Sequence, residues 1–343
     1  MTGLYISRQF HLMILSIDGG ATKTCAIIYE EKSHRFMSSG ISGASNFMSV
    51  SEEESLENIK KAIDFALQGA DVDLEELDYI ILGLAGIGDS AKSTETGNNI
   101  VKRILGSRKY RLENDGLLAY RMSNMYDDGI MFAPGTGSVG YYQKGDKIYR
   151  IGGWGWFAGD EGSASWISKT AITYAERQSD GIMPGTSMKD LVEQYFGDSL
   201  RNVAGSIEKE RNKRKIAMMA PYVTKLAKAG DSIAISIIQE AARYISAVLN
   251  SMLERFQDCP AVSVVGGTTL SGGVLTDIIQ SSVKCKIRFF PGYDVCVGGI
   301  VLASRDMGFQ FPTEEKEKII HSLEKSIMKN PPEMLKETLG IIN

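Results

Sequence analysis

Residues 12–17 are apolar apart from Ser16, which predicts a buried strand. Residues 24–29 resume the run after a glycine-rich link too short for a helix, so the two pair as a hairpin. The period then changes. Over residues 52–68, Leu56, Ile59, Ile63, Phe65 and Leu67 recur among charges, the spacing of an amphipathic helix. Residues 77–84 are a second buried strand, ending in Gly83-Leu84-Ala85-Gly86. A weaker helix is predicted over 94–105, a short strand over 110–113 and a helix over 117–122, with Asn114-Asp115-Gly116 between the last two.

From residue 129 the pattern starts again. A strand over 129–133, the turn Gly135-Thr136-Gly137-Ser138 and a strand over 139–143 repeat the opening unit, which reads as a weak internal duplication of an α/β domain. The second half is more helical. Asp160-Glu161-Gly162-Ser163 opens a helix over 163–176, followed by helices over 188–196, 216–229 and 232–256, with Gly230-Asp231 separating the last two. A buried strand over 261–265 ends in Gly266-Gly267-Thr268-Thr269. A strand over 286–290, Pro291 and a helix opened by Gly298-Gly299 follow. Beyond Pro312 the chain is Glu/Lys-rich but keeps Ile319, Ile320, Leu323 and Ile327 on one face, which predicts an amphipathic helix folded back on the body.

A length of 343 residues exceeds one ordinary core. The expected division is a non-core extension over 1–12, domains over 13–117 and 118–305, and a tail over 306–343. With 43% hydrophobic and 23% charged residues the composition is that of a globular protein. A net charge of −4 gives no electrostatic pull toward nucleic acid or anionic lipid. The longest apolar stretch, residues 79–87, is too short to span a bilayer, and no signal-peptide pattern stands at the start. Cys25, Cys259, Cys285 and Cys296 form no C-x-x-C pair, so they read as reduced thiols of a cytoplasmic protein rather than a disulfide frame. His11, His34 and His321 all lie outside the glycine-rich segments, which disfavours a His-based triad or zinc site.

The chemistry concentrates in the turns. In Asp18-Gly19-Gly20-Ala21-Thr22-Lys23-Thr24 the glycines allow a sharp bend that presents bare N–H groups. Thr22 and Thr24 add hydroxyls, Lys23 adds charge, and Asp18 is suited to hold a hydrated Mg²⁺. An ordinary hairpin with a capping Asp explains this segment alone equally well. It is not a Walker A loop, which requires a different spacing leading into a helix. Gly135, Thr136 and Gly137 supply a second such turn, and a pair suits a cleft that grips phosphates from both sides; a duplicated hairpin without ligand is the competing reading. Asp115 follows a strand, on the side where open α/β sheets bind ligands, and can act as base toward an alcohol, although Asp also caps helices. In Gly152-Gly153-Trp154-Gly155-Trp156, tryptophans among glycines could stack on a sugar, and Asp160 could accept its hydroxyls; a tight turn with core tryptophans is the alternative. Gly267 and Ser271 lie where close backbone approach would suit a purine or ribose, or simply start a helix. The basic residues 209–215 alternate with Glu208 and Glu210 and read as a solvated helix face.

Taken in order, these segments resemble the BadF/BadG/BcrA/BcrD-type ATPases, in particular their N-acetylglucosamine kinase-like sugar kinases, within the actin, hexokinase and Hsp70-like superfamily. The resemblance runs from about residue 14 to 303. It implies two RNase H-like α/β domains closing over a cleft, use of ATP and Mg²⁺, a small-molecule sugar partner and a homodimer. It matches Asp115 to the catalytic base, Thr22 and Thr136 to the nucleotide phosphates, and Gly230, Gly267 and Ser271 to the adenosine side. Asn46, Gly153, Trp154 and Asp160 match sugar contacts. Family members act on N-acetylglucosamine, glucosamine, unmodified hexoses and 2-keto-3-deoxy sugar acids. The other branch activates radical dehydratases through a [4Fe–4S] cluster, for which the cysteines here lack paired spacing. A non-catalytic sugar-responsive regulator is a third possibility, but it would not need the base that Asp115 offers.

Overall fold

The computed structural model describes residues 12–329, 331, 335 and 336. Apart from Leu12, the expected extension over 1–12 lies outside the described residues. The first lobe is built on β1 (Met13–Gly19), β2 (Thr24–Glu30), β3 (Arg35–Ser42), β4 (Tyr79–Leu84) and β5 (Arg111–Glu113), in the order β3-β2-β1-β4-β5. β1 is antiparallel to β2 and parallel to β4. Helices α1 (Glu52–Ala70), α2 (Ala91–Leu105) and α3 (Asp115–Asn124) connect the strands.

The second lobe repeats that topology. Its strands β6 (Gly129–Pro134), β7 (Ser138–Lys144), β8 (Lys147–Gly152), β9 (Ala261–Val265) and β10 (Ile287–Phe290) run in the order β10-β9-β6-β7-β8. Each lobe is therefore an antiparallel three-strand meander followed by two parallel strands, so the expected two-lobed α/β architecture holds. Between β8 and β9 the lobe inserts α4 (Ala164–Ser179), α5 (Met188–Phe196), α6 (Leu200–Glu210), α7 (Lys213–Ala217), α8 (Ala220–Lys228) and α9 (Ser232–Leu253). α10 (Gly273–Ser282), α11 (Val297–Asp306) and α12 (Thr313–Lys329) complete the chain.

β1 is apolar without alternation because both its faces are covered. Leu15 and Ile17 pack with α1 residues such as Ile59 and Ile63, whereas Ile14 joins the cluster of Leu118, Met131, Ile300 and Phe290. That second cluster draws on both sheets, and α3 and α11 lie within it. Contact there is tight: a Cβ on Gly298 would overlap the Leu118 carbonyl oxygen. α12 buries Ile319, Ile320, Leu323 and Ile327 in the same cluster and meets β3 through Ser326 and Ser39, 3.0 Å apart. α9 is long and apolar enough by composition to cross a membrane, but Ile237, Ile238, Ile245 and Leu249 are fully buried in the core of the second lobe.

Several expectations need correction. β3 and β8 carry no clear apolar pattern and are edge strands, half-exposed on one face or both. The single helix expected over 216–229 is two, broken at Met218 and Met219 ahead of Pro221, which cannot donate to a continuing ladder. Cys259 and Cys285 are disulfide-bonded, not reduced, with Cα atoms 5.6 Å apart. They precede β9 and β10, and the parallel pairing of those strands brings their entry ends together. Cys25 and Cys296 remain free and buried.

The packing of α11 on α3 generates a test. Gly298→Ala should lower stability by about 1–3 kcal/mol, because neither backbone can retreat. A fall in the urea midpoint at unchanged m-value is the expected result; an unchanged midpoint would show that the helices can separate freely.

Candidate active site

Both hairpin turns reach into one cleft of about 490 Å³ between the lobes. The β1–β2 turn is closed by Gly20 N–H donating to Lys23 O at 2.9 Å, while Gly20 O accepts from Ser45 N and Asn46 N at 3.0 and 3.1 Å. The β6–β7 turn is anchored by the first turn of α4: Ala164 N donates to Gly135 O at 2.9 Å and Ser165 N to Thr136 O at 3.2 Å. The turns meet, with the Thr22 and Thr136 hydroxyls 2.8 Å apart. The glycines leave backbone bare toward the cleft. Around a Cβ built on Gly267 nothing lies within 4 Å, and at Gly20 and Gly135 only single carbonyl oxygens stand at 3.6 and 3.9 Å.

Asp18 and Lys23 form the floor. Lys23 Nζ lies 3.6 Å from Asp18 Oδ2, donates to Gly292 O at 2.6 Å and rests over the Tyr293 ring, 4.6 Å from its centroid. Burial raises the Asp18 pKa, and the Lys23 charge opposes the rise. For Lys23 burial acts to lower the pKa, but Asp18 together with Cys25, Tyr293 and Cys296 raises it on balance.

Asp115 lines the same cleft as the first residue of α3, with Asn114 as the cap. It is therefore not the N-cap. Asn114 Oδ1 accepts from Gly116 N at 2.9 Å and from Tyr141 OH at 3.1 Å, which fixes the turn across the lobe boundary. The Asp115 carboxyl is pushed up to about 7, first by burial, then by the charges of Asp18 and Asp89, against a Gly116 N–H bond and Arg150. Arg150 pairs with Asp89 at 2.7 Å and donates to Gly153 O at 3.1 Å.

Asp160 is buried, with φ +57°, and its carboxylate accepts from Gly155 N at 3.3 Å and pairs with Lys213 at 2.7 Å. Asn46 lines the opposite wall, its Oδ1 accepting from Met48 N at 2.9 Å. Gly153, Gly267 and Ser271 also line the cleft, Ser271 sharing a 3.0 Å hydrogen bond with Thr224.

Three expected residues stand apart. Thr24 is fully buried and donates to Gly43 O at 2.8 Å and Ser45 Oγ at 2.7 Å, so it braces the hairpin from behind. Trp154 is 85% exposed, makes no ring stack among the described residues and does not line the cleft. Gly230 sits in the α8–α9 connection with φ +95°, a conformation that favours glycine, and does not line the cleft. The residues not foreseen are Asp89, Asn114, Tyr141, Arg150, Lys213 and the segment from Gly292 to Tyr293. Of these only Asn114, next to Asp115, carried any signal in the sequence.

Residues 15–303 match the profile of the BadF/BadG/BcrA/BcrD ATPase family. The chain is 25% identical over 290 residues to N-acetyl-D-glucosamine kinase of Dictyostelium discoideum, covering 79% of this chain and 90% of that protein. It is 24% identical over 258 residues to glucosamine kinase GspK of Vibrio cholerae, covering 71% and 86%. Among solved structures, a Chromobacterium violaceum protein provisionally assigned as an N-acetylglucosamine kinase superposes with a TM-score of 0.69 at 20% identity, over 85% of this chain and 99% of that one. That likeness is one of fold. With most of its length matched by the profile and both lobes arranged around the cleft, this chain belongs to the BadF/BadG/BcrA/BcrD ATPase family.

Proposed function

We propose that the protein is an ATP-dependent sugar kinase that phosphorylates a hydroxyl of an amino sugar, with Asp115 as general base. The observation that carries this reading is a buried carboxyl, poised at about 7, in one cleft with two bare-backbone turns whose threonines touch. Phosphoryl transfer to an alcohol needs little more than a base, positioning and neutralised charge. Two relatives are named for kinases of N-acetyl-D-glucosamine and glucosamine, which favours a hexosamine acceptor.

When bound, ATP supplies the phosphoryl group and Mg²⁺ offsets its charge. Thr22, Thr136 and the amides of Gly135 and Gly137 would hold the phosphates. Gly267 leaves open space suited to a flat nucleoside beside Ser271. Asp18 would hold the metal. No group of three or more metal-ligating His, Cys, Asp or Glu side chains occurs among the described residues, which fits an ion keeping most of its shell from water and phosphate. Asn46, Gly153 and Asp160 would take the sugar. Asp115 accepts the proton from the acceptor hydroxyl as that oxygen attacks. A dehydratase-activator role has less support: Cys259 and Cys285 are bonded to each other, while Cys25 and Cys296 are both buried.

Replacement of Asp115 by Asn should lower kcat by about 10²–10⁴-fold, the usual contribution of a general base, while MgATP affinity holds within a few-fold. Normal turnover by that variant would reduce Asp115 to a structural role.

The pH dependence follows from the raised carboxyl. Only the ionised form can accept a proton, so kcat/KM should climb about tenfold per pH unit below 7 and level off above it. A wild-type profile flat from pH 5 to 8 would contradict the assignment. Asn46→Ala should raise the sugar KM by roughly tenfold, the worth of about one hydrogen bond, and leave the ATP KM unchanged; a change confined to ATP would put Asn46 on the wrong side of the cleft.

A further inference from the structure

Among the described residues three cations line the cleft, and two are already committed. Lys23 is held by the Gly292 carbonyl, the Asp18 carboxylate and the Tyr293 ring. Arg150 is held by Asp89 and the Gly153 carbonyl. Lys213 differs. Among the described residues its ammonium has one partner, Asp160 Oδ2 at 2.7 Å, which leaves two donors, and its side chain is 26% exposed. It also lies directly against the second turn. A Cβ at Gly137 would stand 2.6 Å from Lys213 Nζ and would overlap the Asp160 carboxylate as well. Glycine at this position lets the ammonium hang over the bare backbone of the turn.

The short helix α7 that delivers Lys213 is tied to both lobes. Arg214, the next residue, pairs with Glu54 of α1 at 3.3 Å, while Lys213 itself pairs with Asp160 of the second lobe. Asn212 fixes the start of the helix by accepting from Lys215 N at 2.9 Å. Contacts with both lobes therefore hold the ammonium in place.

We propose that Lys213 is a further catalytic residue of the phosphoryl transfer: its ammonium contacts the nucleotide phosphates at the Gly135-Thr136-Gly137 turn, aimed there by Asp160. This rests on the kinase reading above. Charge accumulates on the phosphate oxygens during transfer, and a fixed cation in a cleft shielded from water is worth more there than in solution. The ammonium stays protonated and forms no covalent bond. The competing role is a static one, in which Lys213 only neutralises Asp160.

A steady-state comparison of wild type, Lys213→Met, Lys213→Arg, Asp160→Asn and the double variant separates the two roles. Lys213→Met should lower kcat about 100-fold, the scale of one lost charge-stabilising donor. Lys213→Arg keeps the charge at an accessible position and should recover all but about tenfold. The double variant should be no better than Lys213→Met. Near-normal kcat in Lys213→Met, or recovery when Asp160→Asn is added, would overturn the proposal, because removing the buried acid would then make the lysine dispensable. Equal loss in Lys213→Arg and Lys213→Met would also count against a charge-based role. Failure of the kinase reading would look different: the wild type itself would release no ADP on addition of any sugar, and this proposal would fall with it.

Discussion

The hydroxyls of Thr22 and Thr136 belong to turns of different sheets yet stand 2.8 Å apart, so the frame between them is built to the tolerance of one hydrogen bond. That tolerance is set elsewhere. α3 and α11 lie between the sheets, and their contact admits no side chain at Gly298. Gly299 of α11 faces Ser16 of β1, whose hydroxyl donates to Cys296 O at 2.5 Å. Both turns are thus referenced to one shared layer of helices, and α12 seals that layer from outside through Ile319, Ile320 and Leu323.

Burial that fixes the frame also sets the charges. Asp18 and Asp115 face one cleft, and the Asp18 charge adds to the cost of ionising Asp115. Burial raises Asp18 against the pull of Lys23, and it pushes Asp115 up to about 7. Asp294, buried with neither carboxylate oxygen hydrogen-bonded to another residue among the described residues, is pushed up to about 6 by the same desolvation. Low dielectric thus turns an ordinary carboxyl into one that can exchange a proton near pH 7.

The repeated unit was legible in sequence because glycine turns and fully buried strands leave strong local patterns. Asp18, Thr22, Thr136 and Asp115 could be picked out from their place at strand ends, and all four line the cleft. β3 and β8 were not legible, since edge strands need no alternating apolar face and Ser38, Ser39, Lys147 and Arg150 hide the period. Lys213 was masked for a different reason. Residues 208–215 mix signs as a solvated helix does, but Arg211 takes φ +48° and ends α6, which starts a new helix that turns Lys213 inward. The Cys259–Cys285 bond depended on the pairing of β9 with β10, a contact between strands separated by a helix. Trp154 shows the converse error, since aromatic residues among glycines suggest stacking, but the side chain points to solvent.

The most direct measurement is a crystal structure with a non-hydrolysable ATP analogue, Mg²⁺ and a hexosamine bound together. The phosphates should lie between Thr22 and Thr136, the nucleoside against Gly267 and Ser271, and one sugar hydroxyl within hydrogen-bond distance of Asp115. A sugar bound away from Asp115, or phosphates that contact only one of the two turns, would contradict the two-sided clamp on which the proposed chemistry depends.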